Sequence, residues 1–195
     1  MTKERYSEQF FLIYSNEEEE KKFQKELQEY IEKFFVSDED IKSIIQVNED
    51  KNIKHLSYEE SSQELTLDQF IKKELKNFND ILRKHIRNYN KKNNTKDSDI
   101  YTKADITKEH FNKIINNKIK PQKKPLIALG IALDLNIEEI NELLHAAEFN
   151  LTNTSEFDLT IKFCLNKNIR NIHDINIILY KKFKETLTNS KRYQK

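Results

Sequence analysis

Residues 95–144 read TKDSDIYTKADITKEHFNKIINNKIKPQKKPLIALGIALDLNIEEINELL, and this stretch decides the fold. Apolar residues recur in it at helical spacing, and polar turns divide it into short helices. The first covers Asp97–Ala104. The second begins at Thr107, whose hydroxyl suits the capping position, and continues through Phe111, Ile114 and Ile115 to Asn117. Lys120–Pro121 stops it. Pro125 opens a third helix at a position that tolerates proline, with Leu126, Leu129, Ala132 and Leu133 inside. Asn136 caps a fourth, in which Ile137, Ile140, Leu143 and Leu144 face inward.

Upstream, Leu67, Phe70, Ile71 and Leu75, then Phe78, Ile81, Leu82 and Ile86, form a helical stripe, as one long helix or two broken near Asn77, and Tyr89–Lys96 reads as a polar loop or a frayed helix end. Downstream, Glu156–Asn166 and Ile172–Leu187 are two further helices. No strand pattern of comparable quality appears past residue 66, so this half is all-α.

The front of the chain is less legible. Phe23, Leu27, Tyr30, Ile31 and Phe34 mark an amphipathic helix over residues 17–35, with Glu17–Glu20 at the positive end of its dipole. Ser37 before Asp38, Glu39 and Asp40 resembles another helix start, with Ile41, Ile44 and Ile45 on one face. The competing reading makes strands of Phe10–Tyr14, Ser43–Val47 and Ile53–Tyr58, and so a small mixed α/β front.

Charge separates the same regions. Residues 1–75 carry 11 basic and 19 acidic side chains, a net −8. Residues 76–124 carry 14 basic and 5 acidic, a net +9, and residues 125–195 carry 9 of each. The division expected is an acidic region over 1–65, a helical domain over 66–150 and a helical extension over 151–195, with Glu60–Gln63 as linker. A basic middle suggests a polyanion partner.

Composition excludes several classes. One cysteine, Cys164, allows no internal disulfide and no cysteine-built zinc site. One glycine, Gly130, allows no glycine-rich phosphate loop. The histidines His55, His85, His110, His145 and His173 form no HExxH and no i, i+4 pair, and Glu17–Glu20 is a solvated run rather than an acid/base pair. The expectation is therefore a protein that is not an enzyme and holds no cofactor or metal. No apolar run is long enough for a membrane span and the start lacks a signal-peptide pattern, which predicts a cytoplasmic protein. The 29 lysines against 5 arginines, with 21 asparagines and 24 isoleucines, reflect AT-rich codons and point to a low-GC bacterium or its phage or mobile element.

Two short helices joined by a tight turn, with one helix before and two after, is the order of a helix-turn-helix DNA-binding domain. Residues 78–149 resemble the lambda-repressor-like (Xre) family. Ile106–Thr107 sits at its turn, Phe111, Ile114 and Ile115 at the buried positions of its second helix, and Lys120–Pro121 where that family has a basic residue and proline. Tyr101 replaces a small residue of the family pattern, Asp105 a glycine in the turn, and Asn116 a glutamate. The left-handed conformation that such a turn requires is open to Asp. The resemblance implies a mainly α fold, double-stranded DNA as partner and a transcriptional repressor. One helix in one groove makes too few contacts for useful specificity, so a homodimer is expected, joined through the front or through the C-terminal helices.

At about 100° per residue, Phe111, Ile114 and Ile115 share one side of the second helix, and Glu109, Asn112, Lys113 and Asn116 the other. With residues 107–117 in the major groove, Asn pairs with adenine, Lys with guanine acceptors, and Glu accepts from cytosine. Thr107 and Lys108 lie at the helix N-terminus, which favours phosphate. Lys103, Lys118, Lys120, Lys123 and Lys124 flank the helix as candidates for the DNA backbone. Five such contacts correspond to a log–log salt slope of roughly −4 to −5.

A second reading remains open. An acidic region joined to a basic domain is also the layout of a protein-contact inhibitor or adaptor, such as an antitoxin, an anti-defence or a defence-linked protein. It would bind a protein through residues 1–75, or cover a nucleic-acid-binding enzyme.

Overall fold

The computed structural model describes residues 17–37, 39–41 and 78–188. The candidate strands, the linker, the stripe from Leu67 to Leu75 and the boundary at residue 65 lie outside the described residues. Among those described there are eight helices and no strand: α1 (Glu17–Phe34), α2 (Phe78–Asn93), α3 (Asp97–Lys103), α4 (Lys108–Ile115), α5 (Lys123–Ala132), α6 (Ile137–His145), α7 (Glu156–Asn166) and α8 (Ile172–Phe183). No helix among them is long and apolar enough to cross a membrane.

Helix starts follow local chemistry. Thr107 Oγ1 accepts from the His110 amide at 3.1 Å. Asn136 and Glu139 cap each other reciprocally, each bond 2.8 Å. Ser155 and Asn171 accept amides at the starts of α7 and α8. The same box appears at Ser37, which accepts from the Asp40 amide while the Asp40 carboxylate accepts from the Ser37 amide and hydroxyl.

Helix ends are less ordinary. Each of α2 to α8 is followed by a non-glycine residue with positive φ: Asn94, Asp105, Asn117, Asp134, Glu148, Asn168 and Lys184. After five of them the backbone closes the paired bonds of a Schellman motif, as in Ile106 N–H to Tyr101 O at 3.0 Å with Asp105 N–H to Thr102 O at 3.1 Å. Five of the seven positions are Asn or Asp, whose short polar side chains best tolerate this region in place of glycine.

The sole glycine sits inside a helix. A Cβ at Gly130 would lie 2.8 Å from Ile140 Cγ1, and Ile140 is fully buried, so its absence sets the approach of α5 to α6. Helix α5 is buried along the whole run Leu126–Ala132 and packs against α3, α6 and α8.

Three boundaries differ from the sequence expectation. Helix α2 runs through the stretch read as loop or frayed end as far as Asn93, because Tyr89 and Asn90 face the protein and Asn90 Nδ2 donates to Asp97 at 2.8 Å. Helix α5 starts at Lys123, two residues before Pro125; proline fits there because first-turn amides have no partner within the helix. Helix α8 stops at Phe183, where Lys184 turns left-handed, rather than at Leu187.

The acidic α1 lies on the C-terminal helices. Leu27 and Ile31 are buried, and the rings of Phe23 and Tyr30 meet Phe163 of α7 at 5.4 and 5.2 Å. Asn166 Nδ2 donates to the Tyr30 hydroxyl at 3.1 Å. Lys167 pairs with Glu26 at 2.5 Å, and Lys181 pairs with Glu20. Phe34, expected on the buried stripe, is 39% exposed, and Phe35 beside it 40%.

Burial pushes the Cys164 thiol up to about 12, so the native thiol is inert and its alkylation reports unfolding. Gly130→Ala should destabilise the protein by about 1–3 kcal/mol, because the clash falls on a packed side chain, and should speed Cys164 alkylation. Glu148→Gly and Lys184→Gly should each stabilise by about 0.5–1 kcal/mol, by relieving left-handed strain less the extra chain entropy of glycine, raising the melting temperature by about 2 °C.

Candidate nucleic-acid interface

Helices α3 and α4 are joined by residues 104–107, with Asp105 left-handed in the turn at φ 52°. Tyr101 stands on α3 where the resembled family has a small residue. It is half-buried, and its ring packs on that of Phe111 at 5.7 Å. Phe111 and Ile114 are buried and Ile115 partly so, which anchors one side of α4 to the core. Thr107, Lys108, Glu109, Asn112, Lys113 and Asn116 are all exposed on the other side.

These side chains are in different states. Glu109 and Lys113 pair at 2.7 Å, and the Lys113 ammonium holds the Glu109 carboxyl below its usual range. An exposed pair one turn apart is weak, so phosphate or a base edge can displace it. The Asn112 side chain has no partner among the described residues, which leaves its amide free for two hydrogen bonds. Asn116 is occupied. Its Nδ2 donates to Asn112 O at 2.9 Å, and its Oδ1 accepts from Arg83 Nη2 at 3.0 Å.

Arg83, on α2, also donates to Ile115 O at 2.5 Å. It therefore satisfies a carbonyl that the end of α4 would otherwise leave unpaired, and places positive charge at the negative end of that helix. Sequence reasoning missed it. The only signal was an arginine in a chain where lysine dominates, and its partners lie 32 and 33 residues away.

The flanking lysines divide. Lys118, like Lys108 on α4, is exposed and carries no ion pair among the described residues. Lys120 pairs with Glu148 at 3.1 Å, both well exposed. Lys103 donates to Asp134 at 2.7 Å and to the Tyr89 hydroxyl at 3.3 Å; burial opposes its charge, but these bonds outweigh that and raise its pKa.

Lys123 and Lys124 are engaged with the C-terminal extension. Both stand in the first turn of α5, where the helix dipole disfavours cations and no acidic residue is present. Carboxylates from distant sequence supply the missing negative charge. Asp158, buried, takes Lys123 at 2.6 Å and also accepts from the Thr152 amide at 2.8 Å. Glu185 takes Lys124 at 2.6 Å, and that ammonium lies 4.9 Å from the Phe157 ring centre. The structure thus leaves Thr107, Lys108, Asn112 and Lys113 exposed on the outer side of α4 and Lys118 exposed just beyond its end, while Lys123 and Lys124 tie α5 to α7 and the segment after α8. Among the described residues no three His, Cys, Asp or Glu side chains cluster as a metal ion would need.

Lys123→Ala should lower stability by about 2 kcal/mol, because it strands the buried Asp158 carboxylate while part of the loss is recovered by solvent at the half-exposed lysine site. Lys108→Ala should leave stability within about 0.5 kcal/mol of wild type. Urea unfolding of the two variants checks both.

No protein-family model, curated protein or solved structure matches the chain.

Proposed function

We propose that this protein binds double-stranded DNA, with α4 in the major groove, and acts without catalysis as a transcriptional repressor of a phage or mobile element. The observation that carries the reading is the outer face of α4. A short helix, capped at Thr107 and held at its far end by Arg83, presents Asn112 unengaged between Lys108 and Lys113. Asparagine offers adenine a donor and an acceptor together, and lysine offers donors to guanine. The capped N-terminus directs backbone amides and positive potential towards a phosphate.

Further support comes from the net +9 of residues 76–124 and from the likeness of residues 78–149 to the lambda-repressor-like family. On this reading the protein works in the cytoplasm, as a homodimer, since one short helix makes too few contacts for useful specificity. The second reading, contact with a protein partner through residues 1–75, draws on the adjacent exposed rings of Phe34 and Phe35. Against it, Glu20 and Glu26 are already neutralised within the chain.

The test is selection of bound duplexes from fragmented host and phage DNA, followed by salt titration. An enriched, roughly palindromic site with steep salt dependence is the expected result. Asn112→Ala should then lose about 1–3 kcal/mol of discrimination at one base pair, whereas Lys108→Ala and Lys118→Ala should weaken all duplexes alike and each reduce the salt slope by about 1. No enrichment, with capture of a protein that Phe34→Ser abolishes, would overturn the reading in favour of the second.

A further inference from the structure

Helix α2 carries a concentration of cations without carboxylate partners. Several lysines elsewhere meet a carboxylate, as Lys103, Lys113, Lys120, Lys123, Lys124 and Lys167 do, while others, such as Lys108 and Lys118, stand singly exposed. On α2, Lys84, Arg87, Lys91 and Lys92 are exposed and none has an ion pair among the described residues. Residues 81–96 contain six basic side chains and no Asp or Glu.

Helical geometry gathers these groups. Arg83, Lys84, Arg87 and Lys91 fall within about 100° of one another around α2, on the side away from the buried Phe78, Leu82 and Ile86. From Lys84 to Lys91 the strip runs about 10 Å. Lys84, Arg87 and Lys91 are spaced by three and four residues, about one helical turn each, so each long side chain can reach a separate phosphate of one strand. It is also continuous with the outer face of α4, because Arg83 is hydrogen-bonded to Asn116 at the end of that face. A row of unpaired cations of one sign is self-repelling, and a polyanion relieves that repulsion.

We infer that the Lys84–Arg87–Lys91 face of α2 is a second, sequence-independent contact to the DNA backbone, extending the footprint beyond α4. The inference rests on DNA being the partner but not on α4 reading its sequence. Contacts to phosphate fix position and affinity and carry no base information. The strip therefore contributes equally to every duplex.

The experiment measures full-length wild type and the K84Q/R87Q/K91Q variant against a selected duplex and a scrambled one of equal length, across a salt series. Arg83 is left in place because it holds α4, and protection of Cys164 from alkylation verifies the variant's fold. The expected result is a log–log salt slope shallower by about 3, and an affinity lower by at least about tenfold for both duplexes, with the preference between them unchanged. If the variant binds both duplexes as wild type does, the strip is not a contact, while the α4 reading stands. If wild type shows no preference and the variant loses binding, the strip stands and the α4 reading falls. If wild type binds neither duplex, both fall.

Discussion

The burial of α5 on every side is the constraint from which the rest of the fold follows. A helix that is apolar all round has no solvent face, so it is stable only when other helices enclose it. Here α3, α6 and α8 do so, and the contact with α6 is as close as it is because Gly130 has no Cβ to meet Ile140. The same burial leaves α5 with a cationic first turn inside a crowded region. Asp158 and Glu185 answer that charge, and in doing so attach the C-terminal segment to the middle of the chain. The core and the placing of two prominent lysines are thus one problem with one solution.

Charge is arranged on the same principle elsewhere. The acidic front and the later lysines are complementary within the molecule: Glu20 and Glu26 of α1 meet Lys181 and Lys167. The apolar stripe that marks this helix in the sequence attaches it, through Phe23 and Tyr30, to Phe163. Within residues 76–124, the cations left without a carboxylate partner among the described residues include Lys108, Lys118 and those of α2. These, rather than the net charge of the segment, describe the available surface.

Much of the candidate site was legible in the sequence because its geometry is local. The cap at Thr107, the buried side of α4, the left-handed turn at Asp105 and the box at Asn136 each depend on residues a few positions apart. Lys123 and Lys124 looked equivalent to Lys118, since all three are lysines near the same helix. They are not, because carboxylates 35 and 61 residues away claim two of them. Asn116 was correctly placed on the outer face, yet its amide is occupied by Arg83 and by its own helix.

Sequence by itself determined the helical character of the described region, most helix starts, and the side of each helix that faces inward. These follow from apolar spacing and from side chains that bond to backbone within one turn. It also determined that turns would rely on Asn and Asp, since a chain with one glycine has little else to offer a left-handed residue. Tertiary structure alone decided where that glycine was needed, which cations were neutralised, and that the acidic first helix lies against the last two. Those outcomes depend on distances between segments far apart in the chain, and helical periodicity carries no information about such distances.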